Sequence, residues 1–134
     1  MDTTKSTTRI LFAVQPYVDI MGLCARMKTP LSDEYDICKS IEDYNSLTDK
    51  YSYDLMVVLY GGFVLDILND QAKNSQRLKW VHSVSAGIDA YVSAADFRAS
   101  PIPLTNVKGA FSAVLGEFIG LGMLYHTKKL ESFA

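Results

Sequence analysis

Apolar residues along this 134-residue chain occur in short unbroken runs, separated by longer stretches of mixed character. The clearest run follows Asp54 and continues to Tyr60, where two glycines end it. An unbroken apolar run of this length is typical of a parallel strand that is covered on both faces. Shorter runs predict further strands over residues 10–14, 35–38, 78–84 and 102–107.

The stretches between these runs favour helices. Residues 64–76 have the period of an amphipathic helix, whose apolar side consists of Val64, Leu65, Ile67, Leu68 and Ala72. The other predicted segments are a helix over residues 18–27, a short helix or turn over 43–51 and a short helix over 90–97. Because strands and helices alternate, we expect an α/β fold with an open parallel sheet of about five strands and helices on both faces.

The last predicted helix has almost no polar side. Between Val114 and Tyr125 the only charged residue is Glu117. A helix that is apolar all round must be buried by something, and little sequence follows it here. We therefore expect it to pack on a second copy of the chain, as a homodimer or a swapped oligomer. A buried carboxylate is costly unless paired, so Glu117 either meets a partner's cation or amides or reaches solvent at a seam.

Composition narrows the class of protein. The hydrophobic and charged fractions, 49% and 21%, are typical of a soluble globular domain. A net charge of −2 argues against nucleic-acid binding, and no apolar run reaches the roughly 18 residues that span a membrane. Residues 1–8 are polar, lack the apolar core of a secretory signal, and are predicted to form a disordered tail. We expect a cytoplasmic protein.

Two short turns after predicted strands are candidate binding sites. Tyr60, Gly61 and Gly62 follow one strand, and Ser85, Ala86 and Gly87 follow another. Ligands of open α/β sheets bind at the carboxyl ends of strands, and small residues let backbone N–H groups approach an anion. These turns therefore predict a carboxylate site. Taken alone, either turn is better explained as a tight strand-to-helix connection, since neither is a GxGxxG or a P-loop.

The remaining polar residues form no catalytic or metal-binding pattern. His82 lies two residues after Trp80 on the same face of a strand, which favours a buried, hydrogen-bonded side chain. Asp89 and Ser112 are predicted to cap the helices that follow them. The histidines and carboxylates have no metal-ligand spacing, and Cys24 and Cys38 form no CxxC motif. Two thiols in a reducing compartment are expected.

Several of these residues belong to one longer pattern. It consists of Leu78-Lys79-Trp80-Val81, Ser85-Ala86-Gly87-Ile88-Asp89, Asn106, Gly109, Ser112, Gly116-Glu117-Phe118 and Leu130. The pattern resembles the NAD(P)-dependent D-isomer-specific 2-hydroxyacid dehydrogenases, where it runs from the fourth strand of the substrate-binding domain into the helix that crosses towards the cofactor domain. Residues 9–77 fit the order of elements in that family but carry little specific sequence.

The resemblance implies a flavodoxin-like substrate-binding domain over residues 9–108, followed by a hinge and linker helix over 109–134. The hinge itself would include Val107, Lys108 and Gly109. The amides of Ala86 and Gly87 would hold the substrate carboxylate, with the turn from Tyr60 to Gly62 facing the same cleft. The parent enzyme would transfer a hydride reversibly between a 2-oxo acid and its D-2-hydroxy acid, with NAD or NADP as cofactor.

The chain also departs from this family. Residues 116–122 contain glycines but lie inside a predicted helix, so no GxGxxG turn is present. The family's catalytic arginine, carboxylate and histidine would follow residue 134, and Arg77 and Arg98 lack the context of that arginine. We therefore expect no catalytic residue, no cofactor bound by this chain, and no activity of the chain alone. The alternative is a stand-alone flavodoxin-like module that binds a small carboxylate or a protein partner.

Overall fold

A computed structural model describes residues 7–26, 34–59 and 61–133, and shows an α/β fold built on one parallel sheet. The strands are β1 (Arg9–Ala13), β2 (Glu34–Cys38), β3 (Leu55–Val58), β4 (Trp80–Ser83) and β5 (Leu104–Asn106). The helices are α1 (Ile20–Arg26), α2 (Ile41–Ser46), α3 (Gly62–Asn74), α4 (Ala95–Ala99) and α5 (Ser112–Thr127). Two 3₁₀ turns cover Tyr91–Ser93 and Leu130–Phe133.

The strands follow one another in the order β2-β1-β3-β4-β5, and every neighbouring pair is parallel. This confirms the predicted five-stranded parallel sheet, and the order is consistent with a flavodoxin-like arrangement. The registers align the last residues of all five strands in one row, formed by Cys38, Ala13, Val58, Ser83 and Asn106. The loops that follow the strands therefore emerge side by side at one edge.

Helices cover the two faces of this sheet unequally. On one face α2, α3 and α4 pack on a core that is almost solvent-free, whose members include Leu11, Met56, Val58, Ile67, Val81 and Phe97. On the other face Ile20 of α1 packs on Phe12 and Val14, with Val57 beside them. Successive residues of a strand point to opposite faces, so the side chains of β1 and of β3 contribute alternately to the two cores.

Both predicted helix caps are wrong. α5 begins at Ser112 itself, with Phe111 at the capping position and no side-chain capping bond. The helix predicted after Asp89 is split into the 3₁₀ turn Tyr91–Ser93 and α4, and Asn69 of α3 supplies the oxygen that accepts the N–H of Asp96 at 2.9 Å. A cap from another helix depends on the packing of α3 against α4, which local sequence does not encode.

α5 packs little against the rest of the described chain. None of its residues is buried, and the large apolar side chains along it are 47–73% exposed, with Phe118 the most exposed. Glu117 is exposed as well. Among the described helices, none combines the length and apolar character needed to cross a membrane. Of the predicted tail, residues 1–6 lie outside the described residues, while Thr7 and Thr8 are exposed and without regular structure.

Candidate functional site

The candidate site lies at the edge of the sheet where all five strands end. Gly61 begins the connection after β3, and Ser85, Ala86 and Gly87 form the turn after β4. Asn106 is the last residue of β5, directly beside the end of β4. The two turns predicted from sequence thus follow neighbouring strands, although Tyr60 lies outside the described residues.

Hydroxyl groups hold the turn after β4 in place. The Ser83 side chain is fully buried, and its Oγ accepts the backbone N–H of Ser85 at 3.2 Å. The same oxygen lies 2.9 Å from Ser85 Oγ and donates to the hydroxyl of Tyr91 at 3.2 Å. Ser85 Oγ in turn donates to the backbone oxygen of Gly87 at 2.9 Å. These bonds make Ser85 a positioning residue whose own amide is occupied.

Asn106 ties this turn to the next loop. Its Nδ2 donates to the backbone oxygen of Ala86 at 2.7 Å, and its Oδ1 accepts the backbone N–H of Lys108 at 3.3 Å. The sequence pattern contained Asn106 without indicating this contact. Only the pairing of β4 with β5 brings the two loops together.

The amides of Ala86 and Gly87 remain available. Both residues are exposed, and neither backbone N–H has a hydrogen-bond partner within the part of the chain that the structure describes. Consecutive free N–H groups on a turn form a concave site that favours anions. A carboxylate is one small anion that two such donors can bind, because each of its oxygens accepts a charge-assisted hydrogen bond.

The glycine pair after β3 contributes the start of α3 to the same edge. Gly61 is the capping residue, with extended backbone, and as a glycine it has no side chain of its own to cap the helix. The first turn of α3 brings the positive end of the helix dipole to this edge. A Cβ on Gly61 would collide with the side-chain amide of Gln15, whereas one on Gly62 would meet nothing. Gln15 follows β1 at this edge, and sequence reasoning did not select it.

The predicted hinge is a tight turn after β5. Gly109 has φ +88°, in the left-handed region that favours glycine, and it is the only described glycine with positive φ. The N–H of Ala110 bonds to the oxygen of Val107 at 3.1 Å. Lys108 and Gly109 are exposed, and Val107 is half-buried.

His82 and the two arginines have their recorded contacts outside the two turns. His82 is half-buried on a sheet face, with Nδ1 2.8 Å from Thr105 Oγ1, so the predicted hydrogen bond is present. Arg77 pairs at 2.8 Å with Asp54 at the opposite, amino end of β3. Arg98 borders an apolar groove beside α4. Among the recorded contacts of the described residues, none joins these three side chains to Ala86 or Gly87.

The described residues were compared with the patterns of a metal site and of the glycine turn that binds a dinucleotide. No group of three or more His, Cys, Asp or Glu side chains there is arranged to hold a metal ion. Gly116, Gly120 and Gly122 lie inside α5, where helical hydrogen bonds engage the backbone amides. These glycines therefore do not form the turn that a dinucleotide pyrophosphate requires.

Comparisons of this chain with protein-family models, with curated proteins and with solved structures give no match.

Proposed function

We propose that this chain is the substrate-binding part of an oxidoreductase that interconverts 2-oxo acids and D-2-hydroxy acids with NAD(P)H. The observation that carries the proposal is the pair of free amides at Ala86 and Gly87, on a turn that Ser83, Ser85 and Asn106 hold. This turn lies at the carboxyl ends of parallel strands, where open α/β sheets bind their ligands. The family resemblance around the same turn supplies the chemical class of the ligand.

In this proposal the chain binds and orients the acid. The two amides donate to the carboxylate oxygens, and the positive end of the α3 dipole adds a favourable potential from the neighbouring loop. Because side chains already fix the turn, little conformational freedom is lost on binding. A second domain of the parent enzyme would bind the nicotinamide cofactor, which supplies or accepts the hydride, and would carry the proton-transferring groups. Val107, Lys108 and Gly109 would form the hinge towards it.

The proposal extends to the type of fold and its setting. The strand order supports a flavodoxin-like substrate domain over residues 9–108. Cys24 and Cys38 are both free thiols, which favours the reducing cytoplasm as the compartment. The exposed apolar side chains between Val114 and Tyr125 favour association with a second copy of the chain.

A titration with pyruvate tests the acid site directly. We expect the amide resonances of Ala86 and Gly87 to shift first in ¹⁵N–¹H correlation spectra. Gly87 has open space beside it, so Gly87→Asp places a carboxylate next to the amides and should abolish binding by repulsion. Gly87→Asn has the same shape without the charge and should still bind. Loss of binding in both variants, or no shift in the unmodified chain, would refute a carboxylate site at this turn.

Two measurements, of NADH oxidation and of the transcript sequence, distinguish part of a dehydrogenase from a stand-alone binding module. We expect the purified 134-residue chain to oxidise no NADH with a panel of 2-oxo acids, and measurable oxidation would contradict this. Sequencing the transcript past the codon for Ala134 tests the parent. A frame that encodes GxGxxG, then an arginine, a carboxylate and a histidine, supports the dehydrogenase. A stop codon there favours a module that binds a small carboxylate or a protein.

A further inference from the structure

Half of one sheet face is left without a helix over it among the described elements. The registers place Trp80 beside Leu55, and place His82 between Val57 and Thr105, all on the face that α1 covers at β1. Trp80 is nevertheless 43% exposed, and Thr105 is exposed. We call Trp80, His82 and Thr105 the open half-face.

The polar atoms of the open half-face are already paired with one another. The indole N–H of Trp80 donates to Thr105 Oγ1 at 2.8 Å, and His82 Nδ1 lies 2.8 Å from the same oxygen. The Trp80 and His82 rings meet edge to face, with centroids 6.0 Å apart. Covering this surface therefore leaves few polar groups without a hydrogen-bond partner, and burial of the two rings is favourable.

α5 is the matching unpartnered element of the same chain. Its eight large apolar side chains are Val114, Leu115, Phe118, Ile119, Leu121, Met123, Leu124 and Tyr125, all largely exposed. They lie all round the helix, so about half of them can face one surface, and at roughly 100 Å² each these offer on the order of 400 Å². An exchange buries two such helices together with the half-faces that they cover, which brings the total to about 1,000 Å², the size that a specific interface needs.

We propose that α5 of a second copy covers the open half-face, so that two chains exchange these helices. Each chain carries one unpartnered helix and one open half-face, and a two-fold exchange satisfies both and closes the assembly. The turn at Gly109 directs α5 so that none of its residues is buried in its own chain. This inference locates the surface for the association proposed above, and it does not depend on the assignment as a dehydrogenase.

The fluorescence of Trp80 tests the exchange, because Trp80 is the only tryptophan of the chain. At high concentration we expect a dimer by light scattering, with blue-shifted emission and weak quenching by iodide. On dilution, the mass should halve while emission moves to longer wavelength and quenching rises, with one common midpoint. Phe118→Asp should give a monomer with exposed Trp80 at every concentration, and circular dichroism reports whether it stays folded.

Val92→Asp is the matched control, since Val92 is an apolar residue with 44% exposure next to α4, remote from the open half-face. It should leave the dimer and the emission unchanged. A dimer with fully quenchable Trp80 would overturn the proposal, because the helices would then pair elsewhere. A monomer at high concentration would overturn it too. If Trp80 were shielded in that monomer, α5 would fold back on the sheet of its own chain, and if Trp80 were exposed, the open half-face would stay uncovered.

A mixed sample gives direct confirmation. If one copy is isotope-labelled and the other is not, exchange predicts nuclear Overhauser contacts between the Trp80 indole of one and α5 methyl groups of the other. Contacts found only within one chain would contradict the exchange. None of these outcomes changes the pyruvate titration at Ala86 and Gly87, so the two proposals fail separately.

Discussion

The side chain of Asn106 donates a hydrogen bond to the backbone oxygen of Ala86 across 2.7 Å, joining loops that lie 20 residues apart. Its other polar atom accepts the N–H of Lys108. One amide group thus connects the turn that carries the free N–H groups with the predicted hinge. A movement of the predicted hinge would therefore displace the Ala86 turn through Asn106, even though the two segments follow different strands.

Replacing Asn106 by leucine tests this connection. Asn106→Leu keeps the size of the side chain but removes both bonds, so we expect the free energy of unfolding to fall by about 1–2 kcal/mol. Pyruvate should bind several-fold more weakly, because the Ala86 turn loses the side-chain hydrogen bond that ties it to β5. Urea unfolding and the spectroscopic titration measure the two effects.

Asn74→Ala is the control for Asn106→Leu, since Asn74 also donates a short hydrogen bond, to Asp70 at 2.8 Å, but far from the turn. It should leave pyruvate binding unchanged. Equal binding by Asn106→Leu and the unmodified chain would show that the turn is fixed without Asn106.

The two glycines that begin α3 should respond differently to alanine. Gly61→Ala brings a Cβ into the far end of the flexible Gln15 side chain, which must shift, and we expect a loss of less than about 1 kcal/mol in unfolding free energy. Gly62→Ala meets nothing and should be neutral or stabilising by up to about 1 kcal/mol, because alanine favours the helix. Thermal or urea unfolding of both variants measures the contrast.

Removing the obstacle should rescue the costly variant. In a chain that already carries Gln15→Ala, adding Gly61→Ala should lower the free energy of unfolding much less than it does in the unmodified chain. If Gly61→Ala costs the same in both backgrounds, a conformational requirement of the backbone would explain glycine at position 61, and the contact with Gln15 would not.

Asp54 should make stability depend on acid pH. The guanidinium of Arg77, at 2.8 Å, is the main cause that lowers the pKa of Asp54 from 3.8 to about 2, with the Arg9 N–H and Lys79 assisting against desolvation. A lowered pKa in the folded state stabilises the protein above pH 3.8, and this contribution declines as the pH falls and is lost below about 2.

Urea unfolding between pH 2 and 6 checks this sign. The stability difference between the unmodified chain and Asp54→Asn should be largest above about pH 4 and shrink towards pH 2. Asp89→Asn removes an exposed carboxylate that takes no part in the ion pairs of Asp54, and it serves as the control for loss of one charge. A difference that grows on acidification would contradict the assigned role of Asp54.

The two cysteines should react at different rates with a thiol reagent. Cys38 is fully buried, and burial, with help from Asp43 and Asp36, raises the pKa of its thiol to about 11. Cys24 on α1 is partly exposed. At pH 8 we expect one fast-reacting thiol, which Cys24→Ser should remove, and a second that reacts only on unfolding. Two fast thiols in the native chain would contradict this.

Much of the fold could be predicted because its signals are local. The unbroken run after Asp54 belongs to a strand whose residues face a core on both sides, and β3 lies there with Met56 and Val58 fully buried. The helical period of α3 likewise buries Val64, Ile67 and Leu68. Gln71 is a polar residue on the buried side of the same helix, where its side-chain amide donates to the Tyr44 hydroxyl inside the core.

The candidate site was only half predictable. The turns at Gly61 and Ala86 are visible in sequence, since small residues follow apolar runs. Gln15 and the capping oxygen of Asn69 were not predictable, because each acts on a segment far along the chain. Asn106 was noticed only as part of a family pattern, and its contact with Ala86 required two neighbouring strands.

By itself, the sequence determined the parallel α/β class, the positions of the strands and the two turns, because apolar runs and small residues act over a few neighbours. Tertiary structure alone decided the strand order, and with it the partners of Gly61 and Ala86 and the half of the sheet that stays open at Trp80. Strand order follows from how the helices pack across the sheet, a long-range property that no local pattern of apolar residues specifies.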